Sequence, residues 1–189
     1  LLKYLKEVMH GLMNEPFRIC TWHPFGFLKV NLGSVRFDGE KANLQVNMWL
    51  PNLRYEQDIP SICHDHNSDL YSIILTGNIV NTNYYINFDD NEGLYSIYKV
   101  IYKEHTSISK LFKRGVGCTY NNVNLYDKGK RYMIKQGEFH SSFVPIGLYT
   151  CTFVIRTKFN QNADTFNIRL NNEIDEYVFD RNPITNDKA

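Results

Sequence analysis

His64, His66 and His140 are the residues of this chain whose type and spacing best suit metal chemistry. His64 and His66 flank a single residue in Ser61-Ile62-Cys63-His64-Asp65-His66. On a strand, residues i and i+2 point to one face, so the two imidazoles stand side by side. A third ligand must come from another strand. Gly137-Glu138-Phe139-His140, leading into a new apolar stretch, is the best candidate. Three neutral imidazoles leave coordination positions open for water, substrate or dioxygen, as a catalytic metal requires. Asp65 points to the opposite face, where a structural or ligand-orienting role is expected. Asp69 lies in the turn after His66 and is expected to stabilise it. His10, His23 and His105 have no partner spacing and receive no site role.

Four further side chains are candidates around that centre. Lys29, with Asn31, Gln45 and Asn47, lies on the polar face of two early strands. In an open sheet that face meets solvent, whereas in a small barrel it lines the interior, where a buried Lys29 would offer a point charge to a carboxylate. Arg156 ends the strand after His140. Pointing outward it is a surface residue, and pointing inward its fork could clamp a carboxylate. Tyr71 would hydrogen-bond a substrate or bound oxygen if it faces the metal, and would otherwise pack. Glu138 could serve as a fourth ligand or general base if the strand has begun there, and as a solvated turn residue if it has not.

These residues need a sheet to hold them. Leu28, Val30 and Leu32 alternate with Lys29 and Asn31, and Leu44, Val46, Met48 and Leu50 alternate with Asn43, Gln45, Asn47 and Trp49. A period of two marks half-buried strands, broken at Gly33, Asp38-Gly39 and Pro51. Further strands are predicted over 71–75, 84–88, 94–102, 131–134, 149–156 and 165–170. Leu2, Leu5, Met9, Leu12 and Met13 recur at helical spacing up to Pro16. The expectation is an all-β sandwich or barrel with an N-terminal helix: a helical segment over 1–20, a barrel over 21–181 and a flexible tail over 182–189. The interval from Lys103 to Lys113 is basic and lies in a long stretch between the two histidine motifs, as an insertion, a lid or a solvated connection.

Composition limits the partners. The 189 residues suit one domain, with 43% hydrophobic and 22% charged residues and a formal net charge of +1. That balance gives no broad electrostatic case for nucleic acid or an anionic membrane. No stretch approaches the roughly 18 apolar residues of a membrane span. Cys20, Cys63, Cys118 and Cys151 form no C-x-x-C pair, and reduced thiols in a cytoplasmic protein are expected. The chain opens without Met, so residues are expected before Leu1.

The two histidine motifs resemble the cupin superfamily, whose double-stranded β-helix (jelly-roll barrel) is the fold this likeness implies. His64, His66 and Gly77 match the first motif, and Gly137 and His140 match the second, over roughly 27–158. The family's Glu is absent, with Leu70 and Tyr71 in its place, so a three-histidine site is implied. A narrower likeness is to the thiol dioxygenases, typified by cysteine dioxygenase. It rests on His64-Asp65-His66, Leu75-Thr76-Gly77-Asn78, the preceding Ala42-Asn43-Leu44 and Met48-Trp49, and Lys29 near the position that holds the substrate carboxylate. Tyr71 stands where some members carry a crosslinking Cys. Cys151-Thr152-Phe153-Val154-Ile155-Arg156 lacks the family's Ser-His-Tyr relay. The resemblance therefore implies a three-histidine metal cupin with a different substrate. Fe(II) is its expected metal, dioxygen and a small polar, amino-acid-like molecule its expected substrates, and a homodimer is compatible with it. The competing expectations are a Zn, Ni or Mn lyase, isomerase or hydrolase, and a non-catalytic small-molecule-binding cupin.

Overall fold

Side chains of alternating polarity pack only when one face of the pleat is covered, and here two sheets face each other to cover it. The computed structural model describes residues 20–37, 39–57, 61–181 and 184. Its strands, in chain order, are β1 (Cys20–Trp22), β2 (Leu28–Phe37), β3 (Glu40–Trp49), β4 (Ser61–His64), β5 (Asp69–Thr76), β6 (Asn78–Asn87), β7 (Tyr95–Tyr102), β8 (Thr106–Asp127), β9 (Arg131–Ile134), β10 (Phe139–Phe143), β11 (Thr150–Thr157), β12 (Thr165–Leu170) and β13 (Glu176–Asp180). One sheet runs β1-β2-β3-β11-β5-β9 and the other β13-β8-β6-β10-β4-β12-β7, with every pairing antiparallel. This is an all-β, two-sheet architecture consistent with a jelly-roll sandwich. No helix occurs among the described residues. The expected N-terminal helix and most of the expected tail lie outside them.

The basic interval from Lys103 to Lys113 is neither an insertion nor a lid, since from Thr106 it is part of β8, a strand of 22 residues that pairs first with β7 and then with β6. Ser107 and Ser109 are fully buried on it, whereas Lys103, Glu104 and His105 before it and Lys110 and Arg114 on it are exposed.

The six-stranded sheet turns its polar face inward. Lys29, Asn31, Gln45 and Asn47 line the space between the sheets, together with Phe27, Trp49, Val154 and Arg156. Val46, Cys151 and Phe153 form a buried cluster on the opposite face, with Val30, Leu44 and Ile155 against it. A second cluster, Trp49, Ile74, Ile79 and Val144, ties the two sheets at one end. The four cysteines are unpaired.

Between β5 and β6 the chain crosses from one sheet to the other at Gly77. Its φ is +72°, and a Cβ there would collide with the Tyr149 carbonyl and Thr150 Oγ1. Only glycine meets both conditions. Gly77→Ala is therefore expected to destabilise the fold by more than about 1 kcal/mol in urea titration. Gly129→Ala, also at positive φ but with open space around its Cβ, should cost less.

Candidate metal centre

The site is assembled where β4 and β10 meet. His64 ends β4 and sits directly opposite His140, the one register pair between these strands. His66 follows in the connection to β5, two residues past the end of β4, and keeps the i+2 direction of His64. Two contacts hold that connection against the β9–β10 turn. Gly137 N donates to His66 O at 3.0 Å, and Gln136 N donates to Asp69 Oδ1 at 2.9 Å. Asp69, the first residue of β5, thus acts across 67 positions, on the turn that delivers His140. Asp65 faces away from the cluster, with Oδ1 accepting from Phe166 N at 2.5 Å to fasten β4 to β12.

The three histidines offer nitrogens that all lie within 4.8 Å of one another. Nε2 of His66 and Nε2 of His140 are 3.0 Å apart. Two nitrogens bound to a common ion at about 2.1 Å each, roughly at right angles, would stand about 3 Å apart. His140 is oriented from behind. Its Nδ1 lies 3.0 Å from Asn81 Oδ1, an atom that can only accept, so Nδ1 carries the proton and Nε2 keeps its lone pair for the cluster. Asn81 is fixed in turn, taking a bond from Ser142 Oγ and donating to Asn83 Oδ1. His64 Nδ1 is buried with no hydrogen-bond partner. A convergent, oriented, neutral set of this kind fits a divalent metal ion, and its donors suit Fe(II), Zn, Ni and Mn alike.

All three rings are held neutral. Burial lowers the pKa of His64 to about 4, with the charge of Arg181 adding to it. Burial, then His64, His140 and Arg156, keep His66 well below the ordinary histidine range, and burial with His64 does the same for His140.

The cluster opens on a cavity of about 580 Å³ between the sheets. Lys29 and Arg156 both line it, Lys29 opposite Asn47 on the neighbouring strand and Arg156 at the end of β11. Burial, then Arg156 and Arg181, lower the Lys29 pKa to about 8. Arg156 donates from Nε and Nη2 to Ser68 Oγ and from Nη2 to Asn67 Oδ1, so it also braces the connection that carries His66. The structure does not bring Tyr71 or Glu138 to the centre. Tyr71 is 37% exposed on the outer face of β5, while Leu70 and Ser72 take the inner one. Glu138 precedes β10 in an exposed turn, where its carboxylate accepts from Lys135 N at 2.9 Å.

Two wall residues escaped the sequence reading. His23 stacks on Phe27 at 4.3 Å, with its ring 6.4 Å from that of His64. Arg181 reaches in from beyond β13, donating to Ser107 Oγ at 2.7 Å over the Tyr102 ring. Neither carries a local spacing signal, since each reaches the site only through long-range pairing. No family model and no curated protein sequence matches the chain.

The histidine shifts set a pH dependence. An unfolded chain protonates its histidines near the ordinary 6.5, whereas the folded protein refuses the proton on His64 down to about 4. Stability is fully present above pH 6.5 and falls as pH drops from there toward 4, because only the unfolded state gains protons. Protein stripped of metal should lose denaturation midpoint steeply across that window, and His64→Phe should flatten the slope. A midpoint constant from pH 7 to pH 4.5 would contradict buried neutral imidazoles.

Proposed function

We propose that this chain is a three-histidine metalloenzyme of cupin type, and that it uses non-haem Fe(II) and dioxygen to oxidise a small polar molecule. The observation that carries the reading is the convergence of His64, His66 and His140, with Asn81 fixing the tautomer of His140. When bound there, the ion would supply the redox chemistry that dioxygen needs and that amino-acid side chains lack.

The chain's own residues have three tasks. Asn81 and the Gly137–His66 contact hold two ligands in register. Phe27 and Trp49, whose rings lie 4.6 Å apart, make an apolar part of the wall that limits water. Lys29 and Arg156 present charge to a polar substrate and set its direction.

Oxidation is favoured over Lewis-acid lyase or hydrolase chemistry by the absence of a buried carboxylate base among the described wall residues. Glu138 is outside the cavity, and among the described residues the single carboxylate in the wall is Glu104, whose side chain is 88% exposed. A Zn, Ni or Mn enzyme would have to use Lys29 or the imidazoles of His23 and His105 as its base.

Metal analysis of protein purified without added metal, followed by oxygen uptake against a panel of small acids, amino acids and thiols, tests this reading. About one iron per chain and substrate-triggered uptake are expected, both lost in His140→Ala. Zinc or nickel without uptake would transfer the assignment to Lewis-acid chemistry. Absence of any bound metal, with His64→Ala as stable as the parent, would sink both. Asn81→Leu should keep the fold and lower metal affinity by about tenfold or more, since an orienting contact is worth 10- to 100-fold.

A further inference from the structure

The cavity beside the histidines is lopsided in charge. Lys29 from β2 and Arg156 from β11 enter from one sheet, and Arg181 enters from the other. The only carboxylate among the described wall residues is Glu104, at the solvent rim beside His105 at 3.6 Å. Lys29 belongs to none of the ion pairs among the described residues. The bonds of Arg156 go to neutral oxygens and use Nε and Nη2, which leaves Nη1 for a ligand. Around them Gln45 and Asn47 are buried, with Gln45 Nε2 donating to Asn47 Oδ1 at 2.9 Å, so the floor is polar but uncharged.

Holding Lys29 and Arg156 in the cavity wall without a paired anion is costly, and the lowered pKa of Lys29 reports that cost. The missing partner is negative. A zwitterionic amino acid fits poorly, because its ammonium would meet the same positive walls with no buried carboxylate to receive it. From this we infer that the cavity takes a small dianion, with two acid groups and no amine, of which a four-carbon dicarboxylate is the simplest case. Lys29 meets one acid group and Nη1 of Arg156 the other, as charge-assisted hydrogen bonds. That this dianion is the substrate rests on the metal-centre reading above, whereas the anion site stands on the cavity alone.

Calorimetry tests the inference with succinate, neutral succinamide, zwitterionic β-alanine and inorganic phosphate, on metal-free and metal-loaded protein. Succinate should bind both forms, and succinamide and β-alanine at least about tenfold more weakly, the loss expected for one charge-assisted bond. Lys29→Met and Arg156→Met should each weaken succinate by about tenfold or more. Arg156→Lys, which keeps the charge but loses the fork, should fall between if Arg156→Met does not fold. Phosphate binding tighter than succinate would assign the acid groups as phosphate and keep the dianion. β-Alanine binding as well as succinate, or succinate unaffected by Lys29→Met, would overturn the proposal. The two readings fail separately. Succinate binding in a protein that takes up no metal removes the metal centre and keeps the anion site, and metal uptake without succinate binding does the reverse.

Discussion

The site depends on one backbone pairing, His64 opposite His140 across β4 and β10. Side-chain direction in a sheet has a period of two, so a slip of one residue would turn one histidine out of the cavity. The register is set elsewhere. β10 lies along β6 over five residue pairs, from Phe139 with Tyr84 to Phe143 with Val80, and β4 is pinned on its other side by β12. The turn before β10 is then held to the connection after β4 through Gly137 and Asp69. Two histidines from segments far apart in sequence are thereby placed by hydrogen bonds that involve neither imidazole.

The same register explains the inverted look of the six-stranded sheet. Its polar residues face the interior and its apolar ones face away. A polar interior is costly unless its groups are paired, and the wall is largely paired through Gln45 with Asn47 and Arg156 with Ser68 and Asn67. Cohesion comes from elsewhere, from the Val46–Phe153 cluster on the other face and from Trp49, Ile74, Ile79 and Val144 at the closed end. Stability and function are thus divided between opposite faces of single strands, Val46 against Gln45 and Phe153 against Val154.

This division decides what could be read in the sequence. The alternation of Leu28 to Leu32 and of Leu44 to Leu50 identified two strands and the residues on each face. Which face was interior could not be read, because a pleat is symmetric until a second sheet covers one side. The H-x-H pair and His140 were legible because local spacing and a preceding glycine mark them. Tyr71 was placed at the centre from a motif position, but strand parity sends it outward and brings Leu70 inward. Glu138 fell one residue short of β10. β8 was missed because a strand with buried serines, two lysines and an arginine in its first half lacks apolar alternation. His23 and Arg181 reach the site by pairing of β1 with β2 and of β13 with β8, contacts with no local signature.

The differences between this site and the cupin pattern it resembles are connected by charge. In a cupin with a carboxylate ligand, part of the metal's charge is cancelled inside the first shell. Here Leu70 occupies the wall where such a ligand would come from, and three neutral imidazoles cancel nothing. On the proposed reading, a divalent ion would add its full charge to walls already carrying Lys29 and Arg156. Low-dielectric surroundings make that arrangement costly without a counter-charge. A protein can supply it with an acidic residue, and the described wall has none that is buried. The remaining source is the molecule that enters the cavity. On the proposed reading, the absence of a carboxylate ligand, the positive walls and the neutral histidines would then express one design, in which a bound anion completes the electrostatics of the site.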